Sequence, residues 1–384
     1  MIYLDNNATT QMLPEVFDAM VPYLREAYGN PSSIHPLGQR ARQAVEEARY
    51  RIATLLGAKV SEIVFTSGGT EADNAAILGT LLARPEKKTV VTSTVEHSAV
   101  RETLHALGRR GIRVVEIPVD RGGQLNLDRF AEAISDDDVA LVSIMWANNE
   151  TGVIFDIPHI AAMCDANRVP LHVDAVQAAG KIPVNLSETP IDLLSISGHK
   201  FHGPKGVGAL YVRRQARWMQ VITGGPQERD RRGGTENVAG IVGMGKAAEL
   251  AQKRLESPST TQYVKGLRDS LERKLLGSIP GTHVNGDPHH RLANTSNIGF
   301  TALEAEAILL LLAQHDICAS AGAACSSGSL EPSPILRAMG LPDRIAHGSV
   351  RFSFSSLNTL EEVDQVADKL SDIIASLRET LPVV

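Results

Sequence analysis

The sequence predicts an α/β protein: a mainly parallel sheet covered by helices on both faces, followed by a smaller α+β unit. Three observations carry this. From about Glu62 onward, short β-rich runs alternate with helical ones, the pattern of a parallel sheet with helical crossovers. After Gly240 the texture changes to a long helical stretch and then to fewer, more scattered units. The 384 residues are 43% hydrophobic, enough for a sizeable core and long enough for two or three domains.

Taken in order, EIVFTS is a strand and TEADNAAILGTLLA its helix, and KTVVTS leads into HSAVRETLHALGRR. IRVVEIPV, LNLDRFAEAI, ALVSIMWA, IPHIAAMCDANR and PLHVDAV continue the alternation. In such sheets binding sites gather at the carboxyl ends of the strands. The helical stretch after Gly240 carries a polar break at Ser257 to Thr261 and reads as a bridge between domains. THVNG, NTSNIGF, a helix from Glu304 to Gln314, ICASAG, VRFSFS and an amphipathic helix from Leu360 to Thr380 complete the chain.

Charge and composition exclude several functions. A net charge of -6 offers no global positive field for nucleic acid or an acidic membrane, and the basic stretch at residues 213–217 is short enough to be a solvated face. MIYLDNNATT lacks the pattern of a secretory signal. The longest apolar run, Ala307 to Ala313, is far short of the roughly 20 residues that span a bilayer. Three cysteines, Cys164, Cys318 and Cys325, form no disulfide framework and lack the paired spacing of a zinc or iron–sulfur site. A cytoplasmic protein acting on a small molecule or a protein partner is expected.

Four segments carry chemistry. In SISGHKFHGPKGVGALYV, Lys200 follows an apolar strand among small residues and histidines, where a Schiff-base lysine must be held. Alone, GHK equally suits a surface lysine in a Gly-rich turn. In HVDAVQAAGK, Asp174 closes a β-rich run and needs a positive partner such as a protonated pyridinium nitrogen, with Gln177 close behind it. Alone, Asp174 could cap the following turn. In VFTSGGTEADNAAI, the N–H groups of Gly69 and Thr70 at a helix start form a phosphate cup, although glycines also serve such turns for purely conformational reasons. In TVEHSAV, His97 follows a strand and suits either a structural role or stacking on a planar cofactor. Together the four point to one cofactor site.

These segments, in this order, resemble the cysteine desulfurases, fold-type I pyridoxal-phosphate (PLP) enzymes related to the class V aminotransferases. YLDNNATT, YGNPSS, FTSGGTEADN, VEHSAV, MWANNETG, HVDAVQAAGK, SGHKFHGPKGVG, RRGGTEN, CSSGSLEPS and SVRFSFS carry the resemblance over nearly the whole chain. MWANNETG, DAVQAAGK and GGTEN look most like the NifS-type branch that serves nitrogenase cluster assembly. The resemblance implies a seven-stranded-type sheet in a large domain over residues 15–254. Residues 1–14 and 255–384 then form the small domain that carries Cys325.

It also implies roles. Lys200 holds the cofactor, His97 stacks on its ring, and Asp174 pairs with the pyridine nitrogen. Asn149 and Gln177 contact it near the phenolic oxygen. Gly69, Thr70, Ser197 and His199 hold the phosphate, with Thr235 reaching in from the second subunit of a homodimer. Arg351, helped by Asn30, clamps the carboxylate of L-cysteine. Cys325, in the small polar segment SAGAACSSGSLEPS, takes the sulfur as a persulfide for delivery to an iron–sulfur scaffold protein, while Cys164 and Cys318 look structural. A selenocysteine lyase or aminotransferase on the same apparatus is the alternative enzyme, and a sulfur carrier without turnover the non-enzymatic one. Pro226, where the pattern usually has histidine, and AGAACSS in place of SGSACTS are departures that remove no reacting group.

Overall fold

Strand-forming runs rich in Val, Ile and Leu become β1 (Ile2–Tyr3), β2 (Ile63–Thr66), β3 (Thr89–Ser93), β4 (Arg113–Ile117), β5 (Val139–Met145) and β6 (Leu171–Asp174). They continue as β7 (Leu193–Ser197), β8 (Gly208–Val212), β9 (Thr282–Asn285), β10 (Thr295–Phe300), β11 (Ile317–Cys318) and β12 (Ser349–Ser353). The computed structural model describes residues 1–321 and 331–380, so Cys325 lies outside the described residues.

Among the described residues, the main sheet has seven strands in the order β2-β8-β7-β6-β5-β3-β4. β4, β3, β5, β6 and β7 pair in parallel, and β8 runs antiparallel between β7 and β2. Every residue of β5, β6 and β7 is buried, as parallel strands covered on both faces require. Edge strand β4 instead exposes Arg113 and Glu116, charges that discourage pairing with another chain. Register aligns Met145, Asp174 and Ser195 across β5, β6 and β7, setting their carboxyl ends along one rim.

Two apolar clusters sandwich this sheet. The larger includes Ile52, Val142, Val173 and Met244, and the other face packs Val64, Ile77, Leu104 and Leu210. A separate cluster joins the β12-β10-β9 sheet to the helices Pro258–Ser278, Ala305–Ala313 and Leu360–Thr380, and takes in Ile2 and Leu4.

The expected polar break in the helical stretch is displaced. One helix runs Val238–Leu255 and the next begins at Pro258, so Ser257 caps the second helix and Pro258 to Thr261 form its first turn. Proline supplies no N–H to the helix and suits its first position, which turns the apparent breaker into a starter.

Residues 4–10 stitch the two parts together. The Asn6 and Asn7 N–H groups bond the Ser353 carbonyl (3.1 Å) and Oγ (2.9 Å), while the Thr10 N–H and hydroxyl bond the His199 carbonyl at 2.9 and 2.8 Å.

Candidate active site

The strand ends build the site. Gly69 opens the helix Gly69–Ala83 three residues after β2, and His97 caps the helix Ser98–Gly108 four residues after β3. Asn149 follows β5 by four residues, Asp174 ends β6, Ser197 ends β7, and Lys200 lies one short turn further on. Close approach of backbone shapes the cup: a Cβ on Gly69 would lie 2.8 Å from Val176 Cγ2, and one on Gly208 would lie 2.7 Å from the Gly68 carbonyl carbon.

Ten of the thirteen residues singled out in the sequence line one cavity of about 580 Å³, a size suited to a small-molecule or cofactor site. They are Gly69, Thr70, His97, Asn149, Asp174, Gln177, Ser197, His199, Lys200 and Arg351. Three are not brought there. Asn30 is exposed and spends its Oδ1 on the Ser32 N–H (2.9 Å) in a turn. Thr235 lines a separate hollow with Ser67, Glu228 and Arg232. Cys325 lies outside the described residues.

Lys200 Nζ donates to the carbonyls of Asn7 (2.6 Å) and Ala8 (2.9 Å). His97 accepts the Ala99 N–H on Nδ1 at 3.1 Å. Burial depresses its pKa, with Lys200 and Arg101 pushing the same way and Asp174 opposing. The ring is therefore neutral at pH 7, with its proton on Nε2. Arg351 is committed: its guanidinium bonds Asp5 Oδ1 (2.7 Å) and the Asn149 carbonyl (2.9 Å).

Several wall residues were not anticipated. Glu96, beside His97, accepts from the Ser93 hydroxyl (2.5 Å) and the Met145 N–H (3.1 Å), and burial pushes its carboxyl up to about 8. Burial, with the nearby Asp174 charge, holds Asp73 well above the usual carboxylate range. At about 8, the Glu96 carboxyl keeps its proton at neutral pH. Asp174 is also raised by burial, opposed by His97 and Lys200, so a cation facing it from the cavity is what favours its ionised form. Glu150, pushed up to about 7 by burial, accepts the Ser333 hydroxyl at 2.5 Å. The only advance signal for Glu96 was a charged residue wedged between a strand and a helix cap.

Behind Asp174, His172 is fully buried between the Ser143 and Ser195 hydroxyls, each at 2.9 Å, and burial lowers its pKa to about 3. The unfolded chain takes up a proton near pH 6.5 that the folded protein refuses until about pH 3. Stability from this group is therefore intact above that window and falls as pH drops through it, by on the order of a few kcal/mol. We expect His172→Gln to be less stable at pH 7 yet to lose less stability between pH 6.5 and 4 in urea unfolding; an equally steep acid limb would contradict this.

The model of the family described as "Aminotransferase class-V" matches residues 2–366. The chain belongs to this family. Among curated relatives, "Cysteine desulfurase 2" of Trichormus variabilis is 53% identical over 381 residues, covering 99% of this chain and 95% of that protein. "Cysteine desulfurase NifS" of Azotobacter vinelandii is 50% identical over 382 residues, covering 99% and 94%. A solved structure titled "NIFS-LIKE PROTEIN" superposes with a TM-score of 0.92 at 37% identity, covering 98% of this chain and 99% of that one.

This class-V chain is an enzyme dependent on pyridoxal phosphate, and its cavity fits that group. Lys200 lies three residues past β7, where it would hold the group as a Schiff base, and the helix start at Gly69 and Thr70, with Ser197 and His199, would offer donors to its phosphate. Buried Asp174 calls for a cation of the pyridinium kind, and Asn149 keeps a buried Oδ1 with no hydrogen-bond partner among the described residues.

Proposed function

We propose that this chain is a NifS-like cysteine desulfurase that converts L-cysteine to L-alanine and keeps the sulfur as a persulfide on Cys325. The observation that carries the reading is the convergence of Lys200, Asp174, His97 and the Gly69–Thr70 cup on one cavity, in a chain matching named cysteine desulfurases end to end. Bound pyridoxal phosphate supplies an electron sink for bonds at the substrate's α- and β-carbons.

The chain's residues do the rest. Lys200 Nζ takes and returns the proton at the substrate α-carbon. His97, neutral at pH 7, would stack on the bound cofactor and could move a proton to or from the thiols. Arg351 receives the substrate carboxylate by exchanging its bond to Asp5, a partner of the same chemistry. The Cys325 thiolate attacks the substrate sulfur: a sulfur–sulfur bond forms, the carbon–sulfur bond breaks, and alanine leaves after reprotonation at carbon.

The described residues on either side of the Cys325 segment support its assignment. Ser320 pairs with the backbone of Arg351, and Ser333 bonds Glu150, while Pro334 and Ile335 belong to the cavity wall. Incubation with L-cysteine should yield alanine and protein persulfide together; alanine without persulfide, or neither, would contradict the reading.

A homodimer completes it. Thr235 is held away from its own chain's cavity, and Phe17, Leu24, Tyr28 and Ile34 expose apolar side chains suited to a second copy. Sedimentation should show a dimer at assay concentration, and full activity from a monomer would rule out Thr235 as a shared phosphate ligand. We place the chain in the cytoplasm, delivering sulfur to an iron–sulfur scaffold protein, with residues 15–254 as the cofactor domain and residues 1–14 and 255–384 as the smaller one. The apolar clusters favour that division in the main, with Leu292, Ile335 and Ala346 packing on the larger one, and no described helix is long and apolar enough to cross a membrane.

A further inference from the structure

We infer that Lys181 is a positioning residue that sets the cofactor's charge state through Gln177; the inference rests on the cofactor reading above. Lys181 Nζ donates to Gln177 Oε1 (2.5 Å) and Asn7 Oδ1 (3.0 Å), and Gln177 Nε2 donates to the Asn7 carbonyl at 2.9 Å. The same carbonyl accepts Lys200 Nζ. Asn7 Oδ1 is further tied to Asn294 Nδ2 at 3.0 Å, so the frame holding Lys181 is itself fixed.

This arrangement fixes the Gln177 amide. Reversing it would set the NH₂ against the Lys181 ammonium and the carbonyl against the Asn7 carbonyl, two repulsive contacts in place of two bonds. Gln177 is a wall residue of the main cavity and Lys181 is not. Lys181 instead lines a smaller cavity of about 90 Å³ on the far side of Lys200, so it acts on the main site through the amide and through its charge.

Among the described residues the charge has no carboxylate beside it. The charged and titratable groups that face Lys181 are Lys200, Arg351, His199 and His202, with Arg254 across the small cavity, and the described lining of that cavity holds no acid. The Lys181 side chain is half-buried, with its ammonium at depth, and burial first, then Lys200 and Arg351, press its pKa well down. An ammonium so placed calls for anionic compensation, which the phenolic oxygen and phosphate of the cofactor bring. In return, the ammonium and the amide N–H favour the deprotonated form of the bound chromophore.

The test is the pH titration of the visible absorbance of the PLP-loaded protein, a readout that a purely structural role would leave in place. Lys181→Met should raise the midpoint by about one pH unit. Gln177→Met should raise it as well, and the double variant should move by less than the sum of the two single shifts, since part of the Lys181 effect passes through the amide. An unchanged midpoint in Lys181→Met, or additive shifts in the double variant, would overturn the inference. Should Lys181→Met fail to fold, Lys181→Gln carries the same expectation and the same overturning result. Wild-type protein that takes up no PLP contradicts the cofactor reading itself, an outcome distinct from a loaded protein with an unmoved midpoint.

Discussion

Lys200→Ala should abolish both turnover and the borohydride-reducible attachment of PLP to the chain. Lys200 is asked to do two things: hold the cofactor covalently and move the proton at the substrate α-carbon. Proton transfer by a positioned side chain is worth about 10²–10⁴ in rate. Losing it together with the covalent anchor should cost at least about 10⁴-fold, unlike the graded effect of removing a single wall contact. The neighbouring Lys181 is no substitute, because it is engaged by Asn7 and Gln177 and lies outside the main cavity wall. Phosphate held by the Gly69–Thr70 cup should still let the variant bind PLP weakly and reversibly. Borohydride reduction followed by peptide mapping is the measurement. A pyridoxyl group found on the chain of Lys200→Ala, above all on Lys181, would show that the wrong lysine has been assigned.

Cys325→Ala should separate cofactor chemistry from sulfur transfer. None of the groups that bind PLP is a thiol, so the variant should load cofactor normally and change its spectrum on adding L-cysteine. It should lack the nucleophile that receives sulfur, so alanine release should fall by about 10²-fold or more, the scale expected for loss of a reacting group, and no persulfide should accumulate. The other cysteines make internal controls. Cys164 is 1% exposed on the helix Ile157–Ala166, and burial pushes its thiol up to about 12, which makes it a poor nucleophile. Cys318 sits on β11. Brief exposure of the wild type to L-cysteine followed by mass spectrometry should place the added sulfur on Cys325. Sulfur on Cys164 or Cys318, or normal alanine production by Cys325→Ala, would overturn the assignment.

What could be read in advance divides along a physical line. The residues at strand ends were legible because each follows an apolar run, and a parallel sheet gathers such ends at one rim, as Asp174 and Ser197, the last residues of β6 and β7, now show. Asp5, Asn7, Asp73 and Lys181 were not, because their places depend on contacts between distant segments. Asn7 meets Ser353 and Asn294, and Asp5 meets Arg351, pairings to which no local periodicity points. Arg351 was expected to clamp the substrate carboxylate and does line the cavity, but the carboxylate already on it, Asp5, was invisible for the same reason. Asn30 and Thr235 illustrate a third case. Asn30 was expected beside Arg351 and Thr235 in the partner's site, and in a single chain neither lines the cavity.

The stitching of residues 4–10 across the two parts of the molecule also bears on the order of events during synthesis. Lys200 finds its carbonyl acceptors on Asn7 and Ala8, and that segment is held in turn by Ser353, 346 residues beyond Asn7 in the sequence. Contacts so distant along the chain form late, after the loop-closure entropy of the intervening residues has been overcome. The seven-stranded sheet ends at Val212 and can assemble while the rest is still being made, but its cavity lacks one wall until the last strand arrives. Completion of the cofactor cavity therefore waits on β12, and a nascent chain stalled before it would carry the sheet with an unfinished site.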